Sequence, residues 1–367
     1  MINDPKIYIM SGYNQRAVIA FLRYLDRLKY SNYAIMASSK DDTIFRTTYK
    51  NKVIYTRQEH ELSVSEFEAF LTHTSKEKGI FIPSTEALIR FQLDNRDLFT
   101  KHNITLPLVN RELYQSISDK RSFWNICRDH NLLVPALYDV NHVQFPLVAK
   151  PITYYSKKGI CYSPIIVDNK DSFDEFLKHH DLIDFDLEQY INGESYYLLL
   201  YITKNGIVHS FSQKNLLQQI GGKSILAAVP AHIHEAPIAY EYTNMLIKIG
   251  FWGLIMIELR KSNDGYYMIE ANPRLWGPSQ LLIDAESDLF NSFLIDNGIN
   301  LPQQSGNPRF DVRYYWSGGI SEGHTVSLID IDNDYVNNRS LYEKYDIYNR
   351  TDTIEIYSYE RGLHGKI

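Results

Sequence analysis

Cysteine is nearly absent from this chain of 367 residues: there are two, Cys127 and Cys161, each isolated in sequence. That argues against both a disulfide framework and a thiolate metal centre. No apolar run is long enough to span a bilayer, and the opening MINDPKIYIM lacks the cationic-then-apolar layout of a secretory signal. The cytoplasm is therefore the expected compartment, with no membrane partner. The Asn-x-Ser/Thr triplets at Asn103, Asn338 and Asn349 then read as chance matches. Basic charge is in deficit as well. With 38 Lys and Arg against 44 Asp and Glu, the net charge is −6, which gives no electrostatic footprint for nucleic acid. Internal repeats and low-complexity tracts are missing too, so no duplicated or solenoid architecture is expected.

What is present is a chain with 44% hydrophobic residues, enough for two or three packed lobes. Lys6–Met10 reads as a short strand. A helix follows, with Val18, Phe21, Leu22 and Leu25 at helical spacing, and then a second strand at Tyr33–Ala37. That order opens a parallel α/β domain. The first turn, Ser11-Gly12-Tyr13-Asn14, lacks G-x-G-x-x-G, which argues against a dinucleotide site there. Ser65-Glu66-Phe67-Glu68 reads as a capping box, Gly79–Pro83 as a buried strand, and Ser84 as the cap of a helix over Thr85–Leu93. Thr85 and Glu86 are read as capping residues more than as ligand contacts. Residues 1–113 are thus expected to form a Rossmann-like domain.

The most informative stretch runs from Gly250 to Gln280. Two apolar runs, Gly253–Leu259 and Tyr266–Ala271, flank the polar segment Arg260–Gly265, which predicts a β-hairpin. Each run carries one carboxylate that does not suit it, Glu258 and Glu270. Asn272 and Arg274 follow Glu270 at alternate positions, so an extended segment points all three one way. Two carboxylates and an amide oxygen beside a fixed cation suit Mg²⁺ carrying phosphate oxygens. The plainer reading is a hairpin with both glutamates on its wet face.

This stretch resembles the metal-binding end of the ATP-grasp superfamily, in which a Glu or Asp on one strand is followed by Glu-x-Asn-x-Arg on the next. The tail Leu275-Trp276-Gly277 is similar to that of small, single-grasp ligase-like members. Further segments match in order. Asp119-Lys120-Arg121 resembles the start of the ATP-binding helix, with Lys120 at the phosphate-contacting position. Lys150, at the end of an apolar strand over Phe145–Pro151, matches the strand lysine that meets the α- and β-phosphates. Asp186–Glu194 resembles the hinge that reads adenine: Glu188 with Gln189, Tyr190 and Ile191 at the base, and Glu194 at the ribose. The loop Ile152–Gly159 departs from the family's glycine-rich form, having only Gly159, with Lys157 and Lys158 to supply charge.

The resemblance implies a fold that is α/β and α+β: an ATP-grasp fold behind a Rossmann-like domain. It divides as 1–113, a small subdomain at 114–190, a central subdomain with the metal site at 191–309, and a C-terminal α+β appendage at 310–367. It implies an ADP-forming ligase that joins a carboxylate to an amine through an acyl phosphate. ATP and Mg²⁺, with Mn²⁺ as a substitute, would be held at Glu258, Glu270 and Asn272. Arg274 would stabilise phosphoryl oxygens, and Lys214 or Lys223, in a flexible loop within Phe211–Val229, would contact anions. An amino acid, a peptide or an amino sugar suits as substrate. A kinase or carboxylase on the same fold, and an ATP-binding regulator without turnover, are the alternatives.

Three other motifs fail. Gly222-Lys223-Ser224 lacks the first glycine of a Walker A loop, since Leu217 stands there. His232 and His234 lie on one side of an expected strand without a third zinc ligand and read as a surface pair. Asp330–Asp334 resembles a calcium loop, but Tyr335 replaces the turn glycine and Leu341 the closing glutamate. The tail from Phe310, alternating over Thr353–Tyr357, is read as packing on the grasp lobe, with a role in acceptor choice or in forming a homodimer.

Overall fold

The computed structural model describes residues 4–59, 62–74, 77–152, 163–304, 306–320, 326–328, 335 and 337–364. Lys157, Lys158, Gly159, Cys161 and the Asp330–Asp334 segment lie outside the described residues.

The chain opens on β1 (Lys6–Met10) and α1 (Gln15–Arg27), followed by β2 (Tyr33–Ala37) and β3 (Val53–Thr56). Next come α2 (Val64–Thr72), β4 (Gly79–Phe81), α3 (Glu86–Asp94), α4 (Arg96–Lys101), β5 (Ile104–Thr105) and α5 (Arg111–Ser118). The five strands form a parallel sheet in the order β3-β2-β1-β4-β5. The winding direction reverses between β1 and β4, as in a doubly wound domain. Alternation along β1 sends Ile7 and Ile9 into the layer shared with α1, and Tyr8 and Met10 into the layer shared with α2 and α3.

Local caps differ from expectation by a residue or two. Ser63, not Ser65, caps α2 by accepting from Glu66 N, and the Glu66 carboxylate accepts from Gln58 N. Thr85, not Ser84, caps α3 by accepting from Leu88 N. β4 ends at Phe81, two residues short of Pro83, because Leu275 N takes the Pro83 carbonyl at 2.9 Å.

α6 (Lys120–Asp129) packs through Phe123 and Cys127 on the core that holds Tyr114 and Met268, and a second, small lobe holds β6 (Leu147–Pro151), β7 (Ile165–Val167), α7 (Lys170–His179) and β8 (Phe185–Gln189). Its antiparallel sheet runs β7-β6-β8. Strand β6 begins at Leu147, not Phe145, and Pro151 does not end its pairing with β8. Pro151 lies opposite Phe185, and Ile152 N donates to Asp184 O at 2.9 Å. β7 pairs with Leu147–Ala149, so among the described residues the missing proline N–H faces a side with no strand.

The third lobe is built on a long antiparallel sheet. It comprises β9 (Glu194–Ile202), β10 (Val208–Gln219), β11 (Ile225–Pro230), α8 (Pro237–Lys248), β12 (Gly253–Ser262) and β13 (Gly265–Asn272). Then follow α9 (Gln280–Asp284), α10 (Leu289–Asp296), β14 (Tyr314–Tyr315), β15 (Val326–Leu328), α11 (Arg339–Lys344) and α12 (Ile354–His364). The strand order is β13-β12-β9-β10-β11-β14, with β15 added to β10. One sheet face packs on α8 through Leu198, Leu200, Ile255 and Ile257. The other, through Leu199, Tyr201, Leu254 and Met256, shares a core with α1, α9 and α10.

Three expectations are corrected in this lobe. Residues 211–229 are not a flexible loop but the arms of the β10–β11 hairpin, paired from Gln213↔Pro230 to Gln218↔Ile225. His232 and His234 sit in a 3₁₀ turn, not a strand. His232 stacks on Phe310 at 4.1 Å, and His234 is largely buried against Ser212, so they are not a plain surface pair. Thr353–Tyr357 enters helix α12 instead of a strand, since burying Ile356 in the shared core outweighs the local β-preference. Among the described residues no helix is long and apolar enough to cross a membrane.

Candidate active site at the β12–β13 hairpin

The hairpin is longer than its apolar runs. Arg260, Lys261 and Ser262 continue β12, and only Asn263-Asp264 forms the loop, closed by Gly265 at φ +136°, where a side chain would be strained. Glu258 lies directly opposite Glu270, and Met256 opposite Asn272. Leu259 then pairs with Met268, so Ile269 is the extra residue of a β-bulge. A bulge re-aims its backbone. Here the Ile269 carbonyl accepts from Lys150 Nζ at 2.8 Å, which ties the small lobe to the hairpin.

The side chains after Glu270 form a chain of hydrogen bonds. Asn272 Nδ2 donates to Glu270 Oε1 at 2.8 Å, and Arg274 Nη2 donates to Asn272 Oδ1 at 2.7 Å. Glu258, opposite, is 5% exposed. Burial, and then the charge of Glu270, push its carboxyl up to about 7, against weaker opposition from Arg260, Lys150 and Ser195. Such a pair of facing carboxylates lacks one positive charge, and a divalent cation is the chemistry that supplies it. Among the described residues, no group of three or more His, Cys, Asp or Glu gathers to hold a metal, so any metal here rests on two carboxylates and an amide.

A second chain, absent from the sequence reading, ends on Glu258. Gln213 Nε2 donates to Asn215 Oδ1 at 2.7 Å, Asn215 Nδ2 to Ser195 Oγ at 2.9 Å, and Ser195 Oγ to Glu258 Oε1 at 3.4 Å. All three donor residues are fully buried. Because Ser195 Oγ accepts from Asn215, its one proton is directed at Glu258. The sequence signal was the polar pair Gln213 and Asn215 at alternate positions of one strand, sharing a sheet face.

Lys150 also pairs with Glu188, Nζ to Oε2 at 3.2 Å, both residues being buried. Its anion in this structure is therefore the glutamate expected to read adenine. Gln189 ends β8, where its Oε1 accepts from Ala136 N, and Tyr190 and Ile191 lead out of that strand toward β9. Gly193 is pressed so close to β12 that a Cβ would sit 1.9 Å from Lys261 O, and Arg260 Nη1 donates to Gly193 O at 3.1 Å. Glu194 opens β9 and accepts from Lys214 Nζ at 2.8 Å and from the Tyr196 hydroxyl. Burial raises the Glu194 carboxyl, but those contacts outweigh it and hold it below the usual range.

Lys120 is the first residue of α6, behind the cap Asp119, and makes no ion pair among the described residues, whereas Arg121 pairs with Asp186. Lys223 is exposed at the β10–β11 turn. The structure thus gathers Glu258, Glu270, Asn272 and Arg274 on one hairpin end, Lys150 and Glu188 against it, and Glu194 and Lys214 as an ion pair between β9 and β10.

Compared with protein-family models the sequence matches none, and no curated protein matches it in sequence. Solved structures do match in shape. The β,γ-ATP complex of biotin carboxylase from Campylobacter jejuni superposes with TM-score 0.61 at 15% identity, over 83% of this chain and 73% of that one. The L-amino acid ligase from Bacillus licheniformis gives 0.61 at 16%, over 84% and 79%. The ADP complex of N5-carboxyaminoimidazole synthetase from Staphylococcus aureus gives 0.58 at 16%, over 83% and 80%. The shared shape with these ATP-grasp enzymes is the finding the resemblance anticipated: the chain has an ATP-grasp fold behind a Rossmann-like domain.

Proposed function

We propose that the protein is an ATP-dependent, ADP-forming ligase that joins a carboxylate to an amine in the cytoplasm. The observation that carries the reading is the facing pair Glu258 and Glu270, extended by Asn272 and Arg274, at the end of a hairpin in this fold. The ligase and synthetase among the similar structures support it, and one of them is an ADP complex.

Glu258, Glu270 and Asn272 would hold Mg²⁺, or Mn²⁺ in its place; when bound, the ion screens the phosphate charge that these carboxylates would otherwise repel. Lys150 and Lys120 would face phosphate oxygens, with Lys150 leaving Glu188 to do so. Glu188–Ile191 would read the adenine edge, and Glu194 the ribose hydroxyls. Arg274, fixed by Asn272 and by the Leu275 carbonyl, would stabilise the transferred phosphoryl oxygens and then the tetrahedral oxyanion formed as the amine attacks. Lys214 would contact an anionic substrate group from the hinge side. Attack by the substrate carboxylate on the γ-phosphorus expels ADP, and the amine then displaces phosphate from the acyl phosphate. The four-part division at 113, 190 and 309, and pairing into a homodimer, belong to the same proposal.

The test is ADP release measured over pools of carboxylates (amino acids, short peptides) and of amines, amino sugars included. Release that requires one of each is the expected result; release with one substrate alone contradicts it. A similar biotin carboxylase domain from Hydrogenobacter thermophilus is bound to MgADP and bicarbonate, so an arm with bicarbonate and no other carboxylate separates a carboxylase from the ligase.

A further inference from the structure

Arg57 stands immediately after β3, at the C-terminal edge of the parallel sheet. It is 6% exposed, yet among the described residues no hydrogen bond or ion pair ends on its guanidinium. Its guanidinium lies over an aromatic ring: Cζ is 5.6 Å from the centre of the Tyr13 ring, which is 36% exposed. Arg23, also well covered, pairs with Asp352. Asp42 accepts from Ser11, Ser38 and Ile44 N, and Glu66 accepts from Gln58 N through Oε1 while its buried Oε2 has no hydrogen-bond partner; among the described residues neither forms an ion pair with Arg57. Its nitrogens are not among the fully buried atoms, so the side chain is covered along its length while the charged head reaches the crevice, where an anion can meet it bidentately.

Its position indicates where that anion would belong. Open α/β sheets bind ligands beyond the carboxyl ends of their strands, where the winding reverses. The loops after β1 and β4 line that crevice. Asn14 joins them, donating to Ser84 O at 3.0 Å and to Leu275 O at 2.9 Å. Leu275 directly follows Arg274, and Asn14 directly follows Tyr13, so a short path along bonded residues connects the phosphoryl-binding arginine to Arg57. Ser84 Oγ, on the same crevice, is buried and has no hydrogen-bond partner among the described residues.

We propose that Arg57, with Tyr13 beside it, is an anion subsite for one of the two substrates, which therefore carries a carboxylate or phosphate group remote from its reacting atom. The subsite rests on the ligase reading for its role, but not for its existence.

The experiment uses the full-length protein saturated with Mg²⁺-ADP and titrated calorimetrically with inorganic phosphate and, separately, with succinate. Wild type should bind at least one of them. Arg57→Met should weaken that binding at least tenfold while Mg²⁺-ADP affinity changes less than twofold, and Arg57→Lys should recover part of it. Preference for phosphate identifies a phosphate ester, and preference for succinate a polycarboxylate. Equal anion affinity in wild type and Arg57→Met overturns the subsite, as does absence of anion binding by wild type. If wild type fails to bind Mg²⁺-ADP, the ligase reading falls, and the same titrations without nucleotide decide Arg57 alone. Arg57→Gln replaces Arg57→Met should the latter not fold.

Discussion

Lys150 Nζ lies 2.8 Å from the carbonyl of Ile269, the bulge residue of the β12–β13 hairpin, so one lysine links the small lobe to the sheet that carries Glu258 and Glu270. The same ammonium holds Glu188. Replacing it removes a link between lobes and leaves a buried carboxylate unpaired. Lys150→Met should therefore lower stability without nucleotide by about 1–3 kcal/mol, and also remove most of the stabilisation that ATP confers. Melting curves with and without ATP check both parts. An unchanged ATP-induced shift would take Lys150 out of the nucleotide site.

The buried chain from Gln213 to Glu258 fixes the direction of the Ser195 hydroxyl. Asn215→Leu takes away the bond that orients Ser195 and leaves two buried polar groups short of a partner, at a cost of about 1–3 kcal/mol. The concentration of Mg²⁺ needed for half-maximal stabilisation by ADP should rise, because Glu258 is then held less well. Asn215→Asp is no rescue, since it brings a third carboxylate toward the pair. Mg²⁺ titrations monitored by melting decide this, and identical midpoints in wild type and Asn215→Leu contradict it.

Reading of adenine at Glu188–Ile191 predicts a preference for ATP over GTP of about 1–3 kcal/mol, as the exocyclic amine becomes a carbonyl that meets acceptors. Calorimetric titration with both nucleotides measures it directly. Equal affinities are incompatible with the hinge assignment.

The pH dependence of stability should carry a signature of Glu360. Burial, aided by Asp346 and opposed by the Trp316 indole N–H and Arg16, pushes this carboxyl from 4.5 up to about 7. Between those values the folded protein holds a proton that the unfolded chain has lost. The contribution is therefore fully present below about pH 4.5 and is lost as pH rises to 7, on the order of 2 kcal/mol. Glu360→Gln, measured by denaturant unfolding across that window, should show a flatter profile; an unchanged slope contradicts the assignment.

Much of this was legible in the chain, for physical reasons that can be named. β1, α1 and β2 carry unbroken apolar periodicity, and both the strand over Tyr33–Ala37 and the strand over Lys6–Met10 have the expected bounds. Glu258 and Glu270 were conspicuous as lone charges in apolar strands, and the hairpin does set them opposite each other. What sequence did not reveal are partners distant in the chain. The Lys150–Glu188 pair spans 38 positions, and the Lys150–Ile269 bond spans 119 and depends on a bulge that no residue type announces. Arg57 belongs to no motif; only its burial without an ion pair among the described residues sets it apart. Residues 211–229 misled because Gly221-Gly222-Lys223-Ser224 resembles loop material, although it is only the turn of a long hairpin.

The central claim is that Glu258 and Glu270 hold a cation against ATP, and Glu270→Gln tests it most directly. The substitution keeps the size and hairpin position of the side chain and removes one negative charge. Thermal melting of wild type and variant with ATP, with Mg²⁺ or with chelator, gives the comparison. The account predicts that Mg²⁺ adds to the ATP-induced stabilisation of wild type and adds much less for Glu270→Gln, with both proteins folded. The same Mg²⁺-dependent increment in both proteins would contradict it.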